Sequence, residues 1–208
     1  MTTQTHARTG IDDSADFRQR IEQVRELYAD APEVGRVALE NLLPAYTLEL
    51  AAAPGAQSAG RVGMRHGNVS ELTLIAPFAE GGAKRLRGLL RLVKNNFQST
   101  DRVGTVHDMR FVFLDNDSKL LFTTAYDGEW DPYIDDFATK IPDNLDLLFC
   151  NCEGWPGIRS ASVKDWIAQH QVTAEGWYVG NPSLTVVEAR RLERVGKALD
   201  EFLDRISN

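Results

Sequence analysis

The feature that most constrains the fold is a change of hydrophobic pattern along the segment from Glu71 to Cys152. Short runs of β-forming or alternating apolar residues are typical of strands, and apolar residues that recur every three or four positions are typical of helices. The two patterns follow one another in the order strand, helix, strand, strand, helix, strand. This order predicts an α+β fold in which helices cover one face of an antiparallel sheet.

Six elements in this order form the ferredoxin-like split β-α-β unit. Turn residues separate them: Gly81-Gly82 precedes the first helix, and Asp115-Asn-Asp-Ser118 joins two strands in a hairpin. The other face of such a sheet needs cover from the rest of the chain or from a second subunit, so we expect a homodimer. The predicted strands are 71–78, 104–114, 119–126 and 145–150, and the predicted helices run from Gly82 to Lys94 and from Trp130 to Ile141.

The segments outside this unit divide the chain further. Residues 1–14 are polar and aperiodic, which predicts a disordered tail. Residues 15–50 form a helical extension whose second helix is ended or kinked by Pro44. Residues 51–69 hold alanine, glycine and proline with little to bury, which predicts a linker. The α+β domain then covers residues 70–208.

A long helix is predicted at the C-terminal end of the chain, from Thr185 to Ile206. Thr185 and Glu188 have the spacing of a capping box, and a continuous apolar stripe follows them. The stripe consists of Val186, Ala189, Leu192, Val195, Leu199, Phe202 and Ile206. Before it, we expect a short helix at 162–169 and a strand or extended segment at 176–179.

Composition excludes several classes of protein. The formal net charge is −7, and an acidic chain does not offer the basic surface that nucleic acids require. Apolar runs such as Leu145–Cys150 are far shorter than the roughly 20 residues that span a bilayer. The first residues lack the apolar core of a secretory signal. We therefore expect a cytoplasmic protein with neither a nucleic-acid partner nor a membrane partner.

The candidate site residues lie on the strand 104–114. His107 and Arg110 are three residues apart, so they point to opposite faces unless the strand bulges. His107 shares a face with Met109, Phe111 and Phe113 in a regular strand. It is a candidate haem ligand or general base, and the alternative is a half-buried histidine bonded to the backbone.

Arg110 and Asp108 are two residues apart and share the other face of that strand. Arg110 is a candidate activator of a peroxide or carboxylate, with Asp108 beside it. The alternative is a structural ion pair. We therefore take His107, Arg110 and Asp108 as the candidate catalytic residues.

Three other clusters have structural explanations. Asp127 to Asp136 contains five carboxylates, which suit the start of a helix better than a metal site; we predict no metal centre. Cys150 and Cys152 would lie roughly 7 Å apart on one face of a strand, too far for an unstrained disulfide, and we interpret both as buried small hydrophobes. The basic helix face from Lys84 to Lys94 is typical of a solvated surface, or of one that docks an acidic partner.

Several short sequence motifs of the chain resemble those of a group of uncharacterised bacterial proteins. The resemblance covers Glu71 to Pro156 and continues weakly through His170-Gln171 and Asn181-Pro182. The motifs on which the resemblance rests are Thr105-Val-His-Asp-Met-Arg-Phe-Val-Phe-Leu114, Leu120-Leu-Phe122, Tyr126-Asp-Gly-Glu-Trp-Asp-Pro-Tyr-Ile-Asp-Asp-Phe137 and Asn151-Cys-Glu-Gly-Trp-Pro156. At fold level this group is similar to the dimeric α+β barrel superfamily, which includes dye-decolourising haem peroxidases, chlorite dismutases and cofactor-free monooxygenases.

The resemblance implies two ferredoxin-like sheets in a dimer, often with a ligand between sheet and helices. Haem is the candidate cofactor, with His107 or His170 as the axial ligand. The chain departs from the haem peroxidases at Tyr126-Asp127-Gly128, which lacks the first glycine of their Gly-x-x-Asp-Gly motif. A shared fold does not by itself imply a shared activity.

Two functional hypotheses follow. The first is a small-molecule-binding protein or oxidoreductase, peroxidase-like or monooxygenase-like, that acts on a small hydrophobic substrate in a cavity beside the open sheet face. The second is a non-catalytic module that dimerises or presents its helices to a larger assembly.

Overall fold

The computed structural model describes residues 12–50, 56–93 and 97–207. Contacts divide the chain into two units, Met1–Pro54 and Gly55–Asn208. Most of the expected tail lies outside the described residues, and the part of it from Asp12 onward is helical.

The described residues of the first unit form two helices, α1 (Asp12–Leu27) and α2 (Glu33–Leu50). Arg25 of α1 donates to both carboxylate oxygens of Glu40 on α2, at 2.8 and 2.9 Å. Pro44 lies inside α2 and does not end it. The helix therefore continues past the one position where proline removes a backbone donor.

The second unit contains one antiparallel sheet. Its strands are β1 (Gln57–Ser58), β2 (Met64–His66), β3 (Val69–Pro77), β4 (Val106–Leu114), β5 (Lys119–Asp127) and β6 (Gln171–Val172). They are ordered β1-β2-β3-β5-β4, and β6 pairs with β3 beside β2. The segment 51–69, expected to be a linker, thus contains two strands of the sheet.

The helices of the second unit are α3 (Gly82–Leu92), α4 (Trp130–Lys140), α5 (Pro142–Phe149), α6 (Val163–His170) and α7 (Val186–Ile206), with a 3₁₀ turn at Gln98–Arg102. Side chains of α3 to α6 form one buried cluster with the inner face of the sheet, which Leu72, Leu74, Leu120 and Phe122 provide. The α+β class, the antiparallel sheet and the β4-β5 hairpin are therefore confirmed.

The predicted strand 145–150 is wrong, because this segment is helix α5. Pro142 occupies the first turn of the helix, where a missing N–H costs nothing. Leu145, Leu148 and Phe149 are spaced as one buried helix face. The free edge of β3 is filled instead by β2, by β6 and by a single bridge between Phe78 and Cys152.

A buried carboxylate completes that edge of β3. Glu71 is 4% exposed, and its Oε1 accepts the backbone N–H groups of Met64 beside β3 and Ala174 after β6, at 3.1 and 3.2 Å. Its Oε2 accepts the hydroxyl of Thr73 at 3.1 Å. The side chain therefore bridges the gap between the two short strands that pair with β3.

Candidate functional site

A β-bulge at the start of β4 sets the direction of His107. Val106 is opposite Tyr126 and Asp108 is opposite Ala125, so His107 is the extra residue between two consecutive partners on β5. A bulge puts two neighbouring residues on the same side of a strand. His107 therefore lies with Asp108 on the outer face, opposite the face that α3 to α6 cover.

The expectation that His107 faces Met109, Phe111 and Phe113 is wrong for this reason. Those three residues pack against the buried core on the inner face. The bulge instead puts His107 on the face that Asp108 and Arg110 occupy, so the structure brings the three candidate catalytic residues to one side of the sheet.

Asp127 on β5 is the hydrogen-bond partner of His107. Its Oδ1 lies 2.8 Å from Nε2 of His107, and its Oδ2 accepts the backbone N–H of Val186 at 2.8 Å. A carboxylate only accepts, so Nε2 carries the proton of a neutral ring and Nδ1 is left as an acceptor. Among the described residues, Nδ1 of His107 has no hydrogen-bond partner.

Asp127 is held firmly because α7 begins against it. The Asp127 side chain is 11% exposed, and its backbone N–H donates to Thr105. The capping box that the sequence predicts is present: Thr185 accepts from the backbone of Glu188, whose carboxylate accepts from the backbone of Thr185. The start of α7 is therefore fixed next to His107.

A hollow of about 300 Å³ opens beside His107 on the outer face. Its floor is sheet, through Val69, Asp108 and Ala125, and its walls come from the loop 177–184 and from Ala189 of α7. The loop contributes Trp177, Tyr178, Gly180 and Asn181 to the lining, although Tyr178 is 89% exposed and the ring of Trp177 also packs against that of His66. Concave sites with apolar walls and a few polar groups are typical of small-molecule binding.

Arg110 lies farther along the same face and does not line this hollow. Its Nη2 is 3.8 Å from Oδ2 of Asp108, and both side chains are mostly exposed. Exposed ion pairs of this length contribute little to stability. Arg110 is therefore available to a ligand that extends out of the hollow.

The apolar space of the domain lies on the opposite face of the sheet. A cavity of about 80 Å³ lies between the helices and the inner face, lined by residues such as Met109, Phe111 and Leu148. A second cavity of about 30 Å³ adjoins it across Phe122 and Phe149. None of the three candidate catalytic residues lines either cavity.

His170, the other candidate haem ligand, is at the end of α6, just before β6. Its Nδ1 lies 2.8 Å from the backbone oxygen of Trp166, and its ring packs 4.2 Å from that indole. Since β6 pairs with β3 and β4 pairs with β5, His170 and His107 are near opposite edges of the sheet. The two histidines do not form one site.

The residues present do not fit a haem group. A haem needs apolar surface on both faces of its ring and an iron ligand in the same cavity. The inner cavities are apolar but are not lined by His107 or His170, and the hollow beside His107 is lined by Asp108 and Asn181. None of these three spaces combines a fully apolar lining with a histidine, as haem binding would require.

The acidic segment 127–136 is paired with cations rather than gathered around one point. Lys164 contacts Asp131 at 3.0 Å and Asp135 at 2.9 Å, and Glu129 pairs with Arg65. Within the part of the chain that the structure describes, no group of three or more His, Cys, Asp or Glu side chains is arranged to hold a metal ion.

The two cysteines follow α5 and have different surroundings. Both are free thiols; Cys150 is exposed and Cys152 is buried. Burial, with a smaller contribution from Cys150, raises the pKa of Cys152 to about 12. The interpretation as a buried hydrophobe therefore holds for Cys152 and is wrong for Cys150.

Gly82, at the start of α3, allows the helix to pack closely against the backbone of Asn151. Gly82 is buried so closely that an added Cβ would lie 2.1 Å from the backbone oxygen of Asn151. On the basic face, Arg87 forms two hydrogen bonds with Asp117, at 2.6 and 2.7 Å.

Sequence reasoning missed Asp127, the residue that holds His107. In the sequence, Asp127 belongs to the acidic segment, because Glu129 and Asp131 follow closely. Its position directly after a predicted strand, like that of His107 at the start of the neighbouring strand, was the signal that pointed to a contact.

No protein-family model, no curated protein and no solved structure matches this chain. The fold and the site define it as an α+β protein with a histidine-aspartate pair in an open hollow on its antiparallel sheet. Among the described residues, no helix is both long enough and apolar enough to cross a bilayer.

Proposed function

We propose that this protein binds a small organic molecule in the hollow beside His107 and that His107 accepts a proton from it. The observation that carries the proposal is the ring of His107 on the edge of the hollow, which is bonded to Asp127 at one nitrogen and has no partner at the other among the described residues. A histidine oriented by a carboxylate is the arrangement that general-base catalysis uses.

The chemistry follows from the two ring nitrogens. Nδ1 of neutral His107 takes a proton from an O–H, N–H or acidic C–H group of the ligand, which becomes an anion. The ring becomes an imidazolium, and the carboxylate of Asp127 stabilises that charge at 2.8 Å from Nε2. The step needs no cofactor, so among the two oxidoreductase types suggested by the resemblance it favours the monooxygenase-like one.

The lining of the hollow indicates the class of ligand. It combines apolar residues, among them Val69, Ala125 and Leu184, with the polar residues Asp108 and Asn181. The volume of about 300 Å³ is at the lower end of the range for pockets that take drug-sized molecules. A ligand that combines an apolar part with one acidic proton fits this lining better than a purely hydrophobic one.

We also propose that the second unit has a ferredoxin-like fold of the dimeric α+β barrel type and that the protein is cytoplasmic. The order β6-β3-β5-β4, with α3 crossing between β3 and β4, supports a ferredoxin-like unit of the dimeric α+β barrel type. The two free thiols support a reducing compartment, the cytoplasm.

The second hypothesis, a dimerisation module, is supported by the exposed apolar face of α7.

The test is a screen of phenols, enols and aromatic carboxylic acids by protein-observed NMR. We expect a bound compound to shift the backbone amides of Ala125, Asn181 and Ala189. The His107→Gln variant should keep the fold and weaken binding at least tenfold, and His170→Gln should leave binding unchanged. Compounds that shift only residues around the inner cavity, or bind both variants equally, would refute the assignment to His107.

A further inference from the structure

Helix α7 leaves the domain after its first turn. Val186 is buried and Arg190 pairs with Asp101 at 2.5 Å. Every residue from Arg191 to Ser207 is exposed. The last four turns of the helix therefore contact no other described part of the second unit closely enough to be covered.

The exposed part of α7 carries an apolar seam with the spacing of a coiled coil. Its members follow one another at intervals of three, four, three and four residues, and each is between 51% and 63% exposed. A heptad repeat of this kind buries its seam against another helix. The seam consists of Leu192, Val195, Leu199, Phe202 and Ile206.

Most helical stability in proteins comes from packing of an apolar face rather than from the helix propensity of the residues. The apolar stripe that the sequence predicts is real, but the domain itself covers only its first member, Val186. Among the described residues of the second unit, no helix packs against the rest of the seam.

The charges along α7 indicate which partner fits. Before the midpoint of the seam, cations dominate, with Arg190, Arg191, Arg194 and Lys197 against Glu188 and Glu193. After it, anions dominate, with Asp200, Glu201 and Asp204 against Arg205. A second α7 running in the opposite direction brings the basic half of each helix to the acidic half of the other, whereas a parallel one brings like charges together.

Small residues flank the middle of the seam and favour the same arrangement. A Cβ added at Gly196 would meet nothing within 4 Å, and Ala198 lies on the other side of the seam. Small side chains at this point let two helix axes approach closely.

We infer that α7 is a dimerisation helix that pairs in antiparallel orientation with α7 of a second copy of this chain. In this arrangement Val195 packs against the partner's Leu199, and Leu192 packs against the partner's Phe202. The interface is separate from the hollow beside His107 and does not depend on the proposed ligand.

The first test measures the mass of the full chain in solution by light scattering over a wide range of concentrations. We expect a dimer for the wild type and a monomer for Leu199→Glu, since glutamate is a good helix former but places a charge in the seam. The matched control is Val187→Glu, which alters an exposed aliphatic residue outside the seam and should remain a dimer. A monomeric wild type, or a dimeric Leu199→Glu variant, would overturn the inference.

The second test measures orientation. A spin label at Ser207→Cys, in a Cys150→Ser background, reports the distance between the two ends of α7. Residue 207 lies ten positions beyond the crossing point near 197, so at 1.5 Å per residue the antiparallel labels are about 30 Å apart. Parallel helices would hold them about 10 Å apart, and that result would overturn the antiparallel arrangement.

Discussion

Asp127 holds His107 with one carboxylate oxygen and the first amide of α7 with the other, each at 2.8 Å. One side chain therefore orients the candidate base and anchors the proposed dimerisation helix. A change at Asp127 is expected to affect ligand binding, through His107, and the position of α7, through Val186.

The first prediction is that Asp127→Ala lowers the free energy of unfolding by about 1–3 kcal/mol, the cost of leaving a largely buried donor unpaired. Urea denaturation measures it. The control is Asp143→Ala, which removes an 89% exposed carboxylate that pairs with Arg159 and should change stability by less than about 0.5 kcal/mol. Equal effects in the two variants would show that Asp127 does not anchor α7.

The central strands could be predicted because their signals are local. Phe111 and Phe113 alternate with exposed residues, and Asp115, Asn116 and Asp117 form the hairpin turn in left-handed conformations that these residue types tolerate. Capping by Thr185 could be predicted from a spacing of three residues.

What could not be predicted depends on contacts between distant residues. Leu145–Cys150 is a short apolar run, and such a run suits a buried strand or a buried helix equally well until its neighbours are known. The bulge at His107 depends on the pairing with β5. The hydrogen bond from Val186 to Asp127 joins residues 59 positions apart, and no periodicity reports it.

The second prediction compares two glycines of α3. Gly82→Ala places a methyl group 2.1 Å from the backbone oxygen of Asn151, so we expect a loss of about 1–3 kcal/mol, typical of overpacking. The added methyl group of Gly88→Ala meets nothing within 4 Å. This variant should gain about 0.5–1 kcal/mol in the free energy of unfolding, because alanine has the higher helix propensity. Thermal unfolding of the two variants should shift in opposite directions, and a shared direction would contradict the packing at Asn151.

The third prediction concerns the buried carboxylate of Glu71. Glu71→Leu leaves the N–H groups of Met64 and Ala174 without their acceptor, at a cost of about 1–3 kcal/mol for each buried group left unpaired. Glu71→Gln keeps one acceptor oxygen, so its free energy of unfolding should fall by less than half as much. Glu80→Ala, at an exposed site of the same segment, is the control. Hydrogen exchange should accelerate at Met64 and Ala174 in Glu71→Leu alone, and unchanged exchange there would argue against the bridge.

The last prediction is a loss of stability in alkali. Burial raises the pKa of Cys152 to about 12, and burial also raises the pKa of Tyr133 and of Tyr126 above the ordinary value for tyrosine. The folded state keeps these groups neutral, while the unfolded chain releases their protons near pH 8.5 for cysteine and near pH 10 for tyrosine. Their contribution is therefore complete below about pH 8.5 and is lost as the pH rises toward the folded pKa values.

Between pH 9 and the pKa of folded Cys152, each pH unit should lower the free energy of unfolding by about 1.4 kcal/mol through that thiol alone. The measurement is the urea midpoint from pH 7 to pH 10.5 for the wild type, Cys152→Ala and Cys150→Ala. Cys152→Ala should flatten the dependence between pH 8.5 and 10, whereas Cys150→Ala, at an exposed thiol, should retain the wild-type slope. Identical slopes in all three proteins would mean that Cys152 ionises as readily in the folded protein as in the unfolded chain.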